Sequence, residues 1–147
     1  LETEAARRCC EQMQDVERRK IMQSAKNIDS LYKASTSEPS GSDSLFFAHK
    51  FHMQFHITIA ELARSPGLLR AIEKEQVLIF NWLCDTTVPR RSLPTNFHYD
   101  LAKAICSRDL AKADGAMRSH IRYGLNEITE RLTSLETSKR WRLTRSS

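Results

Sequence analysis

The segment from His49 to Leu62, HKFHMQFHITIAEL, constrains the fold of this chain more than any other stretch. At helical spacing, one face carries the apolar residues Phe51, Phe55, Ile59 and Leu62. At the margin of that face His52 and His56 are one turn apart, with Cβ atoms about 5–6 Å from each other. Two imidazoles at that separation can share one metal ion. The segment is therefore predicted to be a helix that turns its histidines toward a bundle interior or a cleft.

The other long segments show the same spacing of three and four residues between apolar positions. No segment shows sustained strand alternation, and the sequence has no internal repeat. These patterns predict an all-α fold, an antiparallel bundle of about six helices. Breaks are predicted at Ser35–Ser42 and Ser65–Gly67, where serine, proline and glycine concentrate, and at Asp85–Pro94, which has two prolines and Arg90-Arg91. The last helix is predicted to begin after a capping Asp109 and to end near Leu135.

Length and charge narrow the possible functions without choosing one. A chain of 147 residues can bury a single core. The net charge of +5 comes from basic residues interspersed with acidic ones, so nucleic-acid binding does not follow from it. The four cysteines, at positions 9, 10, 84 and 106, show no Cys-x-x-Cys spacing and are expected to be reduced. No apolar run has membrane-spanning length and no signal peptide is present, so a cytoplasmic protein without a membrane partner is expected.

Two further histidines, His98 and His120, lie on the predicted inner faces of later helices. Four histidines converging inside a bundle would suit a divalent transition metal, because imidazole nitrogen binds zinc, nickel, copper or ferrous iron better than magnesium or calcium. The alternative is a set of hydrogen-bonded core histidines with no ion. His49, one turn before His52, is interpreted as solvated or as a neighbour of the ligands.

Three stretches together resemble the FCD domain, the ligand-binding domain of GntR-family transcription regulators of the FadR type. They are LETEAAR at the start, FHITIAELARSPGLLRAI in the middle and HYDLAKAICSRDLAKADGAMRSHI near the end. The resemblance covers residues 1 to about 132. It implies a metal site at His52, His56, His98 and His120, with zinc or nickel as the expected ion. The chain departs from the family pattern at His52, where aspartate is usual, and at Ser107-Arg108-Asp109, which replaces an Ala-Gly-Asp turn.

The resemblance also implies a role and an organisation. Residues 1–136 would form the ligand-binding domain and residues 137–147 a basic tail. The family's winged helix-turn-helix domain is absent from this chain, which opens in helical pattern without a start methionine and is expected to be a piece of a longer regulator. The expected partners are a small carboxylate effector, aromatic acids among the candidates, and DNA only through the missing domain. The intact regulator is expected to be a homodimer.

The histidine at position 52 has a consequence for the ligand. A divalent ion with one carboxylate ligand carries a net charge near +1, whereas four neutral imidazoles leave it near +2 and favour an anion. The opposing hypothesis is that the change abolishes metal binding and leaves a cluster of titratable histidines. Small residues flank His120 one turn away on either side, at Ala116 and Gly124, and leave room for a ligand or for close helix packing. The candidate ligand contacts are Asn81, Trp82, Arg70, Arg118 and Arg122.

Two other functions are possible for such a sequence. One is a metal-dependent bundle enzyme with three histidine ligands. However, the sequence has no Glu-x-x-His, so the di-iron carboxylate pattern is missing. Met53 stands where a His-Glu-x-x-His protease would have glutamate, and no nucleophile–base pair is visible. The other is a helical scaffold with incidental histidines. The effector domain is the preferred hypothesis.

Overall fold

The computed structural model describes residues 1–37, 43–85 and 91–145, with side chains described as far as residue 139. Within these ranges the chain forms six helices and no strand, which confirms the predicted all-α bundle. The helices are α1 (Glu2–Gln12), α2 (Asp15–Ser35), α3 (Asp43–Leu62), α4 (Pro66–Asp85), α5 (Phe97–Ile105) and α6 (Leu110–Arg145). The predicted loops at Ser35–Ser42 and Asp85–Pro94 lie partly outside the described residues.

Helix α3 is central because it packs against α1, α2 and α4. Its core face carries Phe55 and Ile59, as predicted, but not Phe51, which is 47% exposed. The buried face is instead rotated toward the histidines, and His49 and His56 are both buried. Of the two interpretations of His49, the solvated one is therefore wrong. The cause is Tyr32 of α2, whose hydroxyl lies 3.0 Å from Nδ1 of His49 and gives that ring a polar partner inside the bundle.

Helix α5 begins without a capping side chain of its own. Asn96 at its N-cap is in the left-handed region, with φ of 58°, and makes no side-chain cap bond. The carboxylate of Asp29 on α2 instead accepts hydrogen bonds from the backbone N–H groups of His98, at 3.0 Å, and Tyr99, at 2.9 Å. One side chain therefore docks the start of α5 onto α2 and satisfies donors that a helix start leaves unpaired.

Helix α6 begins as predicted and ends later than predicted. Asp109 caps it, with Oδ1 accepting the backbone N–H of Lys112 at 3.1 Å. The preceding Arg108 takes a left-handed φ of 63° in the tight turn after α5. The helix then continues to Arg145, so the predicted end near Leu135 is wrong. It runs through the expected boundary between residues 136 and 137 without a break, and that division stays a prediction.

Two expectations from composition can be compared with the structure. The four cysteines are free, and Cys9 and Cys10 are buried between helices. Burial raises the pKa of Cys9 to about 12, with the neighbouring Cys106 and Cys10 adding to the shift, so this thiol is unreactive. Among the described helices, none combines the length and the apolar character needed to cross a bilayer.

Candidate metal centre

Three histidines from two helices bring their Nε2 atoms together inside the bundle. His56 Nε2 lies 3.1 Å from Nε2 of His52 and 3.1 Å from Nε2 of His120, and the remaining pair is 3.4 Å apart. His56 and His120 are buried, and His52 is half-buried. Two of the three come from one turn of α3 and the third from α6, so their convergence depends on the packing of the bundle.

These distances fit a shared transition-metal ion. Bonds of about 2.0–2.1 Å from zinc to imidazole in tetrahedral geometry place ligand nitrogens about 3.3 Å apart. The three observed separations lie close to that value, and the ligand atoms of the trio all lie within 4.8 Å of one another. A neutral imidazole in each position gives the donor set that zinc, nickel or copper prefers. The residues present therefore fit the ion that the sequence predicts.

A buried carboxylate orients His56. Nδ1 of His56 lies 2.7 Å from Oε2 of Glu2, and the amide of Gln76 donates to the other oxygen of Glu2 at 2.6 Å. Burial raises the pKa of Glu2, but the charge and hydrogen bond of His56 and the bond from Gln76 outweigh it, so the pKa is lowered. An ionised Glu2 accepts a hydrogen bond from Nδ1–H of His56 and leaves Nε2 of His56 as the metal-binding atom. This is the carboxylate–histidine arrangement common around protein-bound metals.

His98 is arranged in the same way at the edge of the trio. Its Nδ1 lies 2.7 Å from Oδ1 of Asp29, the residue that caps α5. Burial raises the pKa of Asp29, but its hydrogen bonds with the side chain and backbone of His98 and the backbone of Tyr99 leave the pKa lowered overall. The ring centre of His98 is 5.0 Å from that of His52 and 5.3 Å from that of His120. His98 thus lies beside the trio but outside the group whose ligand atoms are all within 4.8 Å of one another, and its role as fourth ligand stays a prediction.

His120 differs from both of these histidines. Burial lowers its pKa well below the usual value, and the charges of His56 and His98 lower it further, so the ring is neutral near pH 7. Its ring stacks on Phe97 with centres 4.5 Å apart. Nδ1 of His120 is buried and has no hydrogen-bond partner among the described residues. His120 is therefore ready to bind an ion but lacks the carboxylate that orients the other two rings.

Tyr32 connects the remaining histidine to this cluster. Its ring is nearly parallel to that of His98, with centres 5.6 Å apart, while its hydroxyl contacts His49. His49 is thus placed beside the cluster through a tyrosine and outside the trio of converging Nε2 atoms. The predicted role as a neighbour of the ligands fits this placement, whereas the solvated role does not.

The fold and the cluster agree with the family to which the sequence belongs. Residues 1–123 match the family model of the FCD domain. The chain belongs to the FCD domain family. In GntR-family regulators of the FadR type this domain is the C-terminal effector domain. No curated protein and no solved structure gives a significant match to the chain.

The predicted ligand contacts of this FCD domain lie mostly on its surface. Arg70, Asn81, Arg118 and Arg122 are exposed, and Arg118 is paired with Asp114 at 2.6 Å on its own helix. Trp82 is half-buried, and the guanidinium group of Arg131 lies 5.8 Å from its ring centre. None of the five predicted contacts lines either of the two described cavities, one of which includes Asp29 and Tyr32 and the other His120. Their contact with a ligand stays a prediction.

Sequence reasoning did not identify Glu2, Asp29 or Gln76 as parts of the site. Two of them carried a usable signal. Glu2 shares a helical face with Ala5, Ala6 and Cys9, and Gln76 follows Ile72 by one turn on the buried face of α4. A polar residue on an apolar face needs a buried partner, and each finds one here. Asp29 lies at the edge of the buried face of α2 and gave a weaker signal.

Proposed function

We propose that this FCD domain senses a small organic acid at a histidine-bound transition metal and thereby modulates DNA binding by a winged-helix domain of the same regulator. Family membership supports the effector-domain role, which the FCD domain serves in these regulators. The observation that carries the finer proposal is the triangle of Nε2 atoms from His52, His56 and His120. Zinc and nickel are the expected ions, and imidazole nitrogen is a suitable ligand for both.

The protein residues have separate tasks in this proposal. His52, His56 and His120 would hold the ion, and His98 would complete the set or contact the effector. Glu2 and Asp29 fix the ring protons of His56 and His98 on Nδ1 and keep their Nε2 atoms available. The bound ion would supply a positive charge and an open position for a carboxylate oxygen.

Effector binding would act on the DNA-binding domain by population shift. The three Nε2 atoms belong to α3 and α6, while Glu2 and Asp29 tie α1 and α2 to the same cluster. Asp29 reaches the cluster through His98 on α5, so a ligand that favours one arrangement of these histidines favours one packing of five helices. In a homodimer that reads two half-sites, such a change would alter the spacing of the DNA-binding domains.

Elemental analysis of domain purified without a nickel column tests the proposal. We expect about one transition-metal ion per chain, or uptake of one added zinc ion by metal-free protein. A domain that holds no metal and takes up none would contradict the proposal and favour the metal-free histidine cluster. Sedimentation of the intact regulator tests the dimer, because a monomer at micromolar concentration with and without DNA would contradict it.

A metal-dependent bundle enzyme was the alternative raised by the sequence. Membership in a family of effector domains of transcription regulators favours the sensing role over that alternative. The carboxylates nearest to the cluster, Glu2 and Asp29, are both engaged by histidine Nδ1 atoms. We therefore propose effector binding without turnover.

A further inference from the structure

A cavity between α5 and α6 adjoins the candidate metal centre. Its volume is about 360 Å³, within the range of small-molecule sites. Its wall includes Phe97, Leu101, Ala116, Ser119, His120 and Tyr123. It thus offers aromatic and apolar surface together with one imidazole that also belongs to the trio.

His120 is part of this wall, and it also carries an unsatisfied polar atom that is buried in the absence of a ligand. The residue is 7% exposed, and its buried Nδ1 has no hydrogen-bond partner among the described residues. The corresponding atoms of His56 and His98 each lie 2.7 Å from a carboxylate oxygen. Histidines that bind metals almost always donate the other ring N–H to an acceptor. The missing acceptor of His120 is therefore the feature that needs an explanation.

Whether Nδ1 of His120 donates or accepts a hydrogen bond depends on what Nε2 of the same ring binds. When Nε2 of His120 binds an ion, as the proposed function requires, the ring proton must be on Nδ1, which becomes a donor. Without an ion, a neutral His56 whose Nδ1 donates to Glu2 presents Nε2 as an acceptor. Nε2–H of His120 then donates to Nε2 of His56, 3.1 Å away. Nδ1 of His120 carries no proton in that state and is an acceptor.

We propose that the α5–α6 cavity is a second ligand site, where the metal-loaded domain holds a small planar molecule whose oxygen accepts the Nδ1–H of His120. The inference rests on the proposed metal centre and goes beyond it, because this ligand contacts a metal-binding histidine and not the ion. The aromatic rings of Phe97 and Tyr123 and the side chain of Leu101 would cover the body of the ligand.

The charge of the cavity wall limits the chemical class of ligand that the cavity can hold. Asp100 is part of the wall, and no lysine or arginine is among the described residues that line the cavity. A second carboxylate on the ligand would therefore meet a negative charge and find no cation. The site should take aromatic monocarboxylates or neutral aromatic carbonyl compounds and should reject dicarboxylates.

Ligand and metal should reinforce each other at this site. A hydrogen bond from Nδ1 makes the imidazole a better metal ligand, as the partner carboxylates do for His56 and His98. By linkage, the metal must then strengthen binding of the ligand by the same factor. A tenfold coupling would be a moderate value for such an effect.

Benzoate and acetophenone are suitable probes because each carries an oxygen acceptor and no donor. Each is titrated at pH 8 into zinc-loaded and metal-free domain labelled with ¹⁵N in histidine. We expect at least one probe to bind the zinc form at least tenfold more tightly and to shift the Nδ1–H resonance of His120 downfield. Phthalate should bind at least tenfold more weakly than benzoate.

Matched substitutions on α6 test the location. Ala116→Leu fills the cavity, and Ser119→Leu blocks it from a more exposed position that should tolerate the change. Ala111→Leu makes the same change as Ala116→Leu at an exposed position outside the described lining. We expect the first two variants to bind the probe at least tenfold more weakly and the third to bind it with unchanged affinity. All three variants should still bind one zinc ion per chain. If Ala116→Leu does not fold, Ser119→Leu decides the location.

Cobalt-substituted domain separates this site from the open metal position. A probe bound at His120 should leave the visible spectrum of cobalt nearly unchanged, whereas direct coordination would alter it strongly. Zinc binding without binding of either probe, a probe without effect on the Nδ1–H of His120, or a coordinated probe would each overturn this inference alone. Failure to bind zinc would overturn the proposed function and this inference with it.

Discussion

The two sides of the histidine cluster are built differently. On the side of α1 and α2, Glu2 and Asp29 hold His56 and His98 at 2.7 Å each, and both carboxylates have lowered pKa values. On the side of α6, His120 has a lowered pKa, a buried Nδ1 with no partner among the described residues, and a place in the wall of a cavity. The comparison indicates that one side is preorganised by the protein, while the other can be completed by a ligand.

The preorganised side also carries the fold. Asp29 caps α5 while it orients His98, and Glu2 links α1 to α3 through His56 and to α4 through Gln76. The buried Glu2 and the half-buried Asp29 are stable in this interior because each has hydrogen-bonded partners. The metal centre and the packing of the bundle therefore depend on the same two side chains.

The largest expected effect is the loss of one of the three converging rings. His56→Ala should weaken zinc binding on the order of 1000-fold, because one ligand contributes a large share of the binding free energy of such a site. His98→Ala should also cost far more affinity than His49→Ala, since His98 is one of the predicted ligands, whereas His49 lies against Tyr32 and is not one of the three converging rings. Competition with a chelator of known affinity measures all three variants. Equal losses for His98→Ala and His49→Ala would mean that the predicted ligand set is wrong.

Acidification should release the metal. Imidazole must be neutral to bind an ion, and the usual histidine pKa is about 6.5. His120, with its lowered pKa, stays neutral below that value, so its protonation cannot account for release at pH 6. Because histidine ligation requires neutral rings, zinc affinity should fall on the order of 100-fold between pH 7.5 and pH 5.5. A zinc indicator measures the release, and full retention at pH 4.5 would contradict histidine ligation.

The carboxylates should have smaller but clear effects. Glu2→Gln and Asp29→Asn keep the shape of the side chains and remove the charge that fixes the ring protons. Loss of such a partner usually costs about 10–100-fold in metal affinity. Chelator competition with matched circular dichroism separates this effect from unfolding. An unchanged zinc affinity in both folded variants would mean that the α1–α2 side is not preorganised for a metal.

Much of the fold was predictable because helical periodicity is a local property. The order of the six helices, the cap at Asp109 and the pairing of His52 with His56 all follow from spacings of three and four residues. The rotation of α3 could not be predicted. Phe51 was expected to be buried and is exposed, while His49 is buried against Tyr32 of α2. Local patterns cannot decide which of two adjacent faces meets a neighbour.

The site itself was predictable only in part, for the same reason. The histidines are rare residues on inner faces, so their positions could be recognised. Their carboxylate partners are far away in sequence: Glu2 is 54 residues before His56, and Asp29 is 69 residues before His98. No spacing rule connects such pairs before the bundle is assembled. The surface arginines were chosen for charge alone and had no burial signal to support them.

Restoring the aspartate that the family usually has at position 52 should tune the site moderately. His52→Asp should retain the metal and weaken binding of a carboxylate by roughly tenfold, because the net charge of the loaded site falls by one. The charges of Glu2 and Asp29 are the same in the parent and in the variant, so they do not change the expected direction of the difference in carboxylate affinity. Calorimetry with a panel of acids on both forms measures the effect. Equal or tighter binding of the same acid by the His52→Asp variant would contradict the charge argument.

The smallest expected effect should leave the metal centre unchanged. Arg108 has φ of 63° in the turn between α5 and α6, a conformation that glycine adopts at less cost, so Arg108→Gly should relieve about 1 kcal/mol of strain. The lost ion pair with Asp15, 3.3 Å long and largely exposed, should offset little of this gain.

Urea unfolding of the metal-free domain would measure the change, with Arg64→Gly as the control. Arg64 also has a positive φ, of 51°, but its guanidinium donates to the carbonyl of Gln12 at 2.8 Å, so the glycine there should gain less. Zinc affinity should be the same in both variants as in the parent. If Arg108→Gly changed zinc affinity, the α5–α6 turn would have to contribute to the placement of His98 or His120, and the two sides of the cluster would be less independent than their contacts indicate.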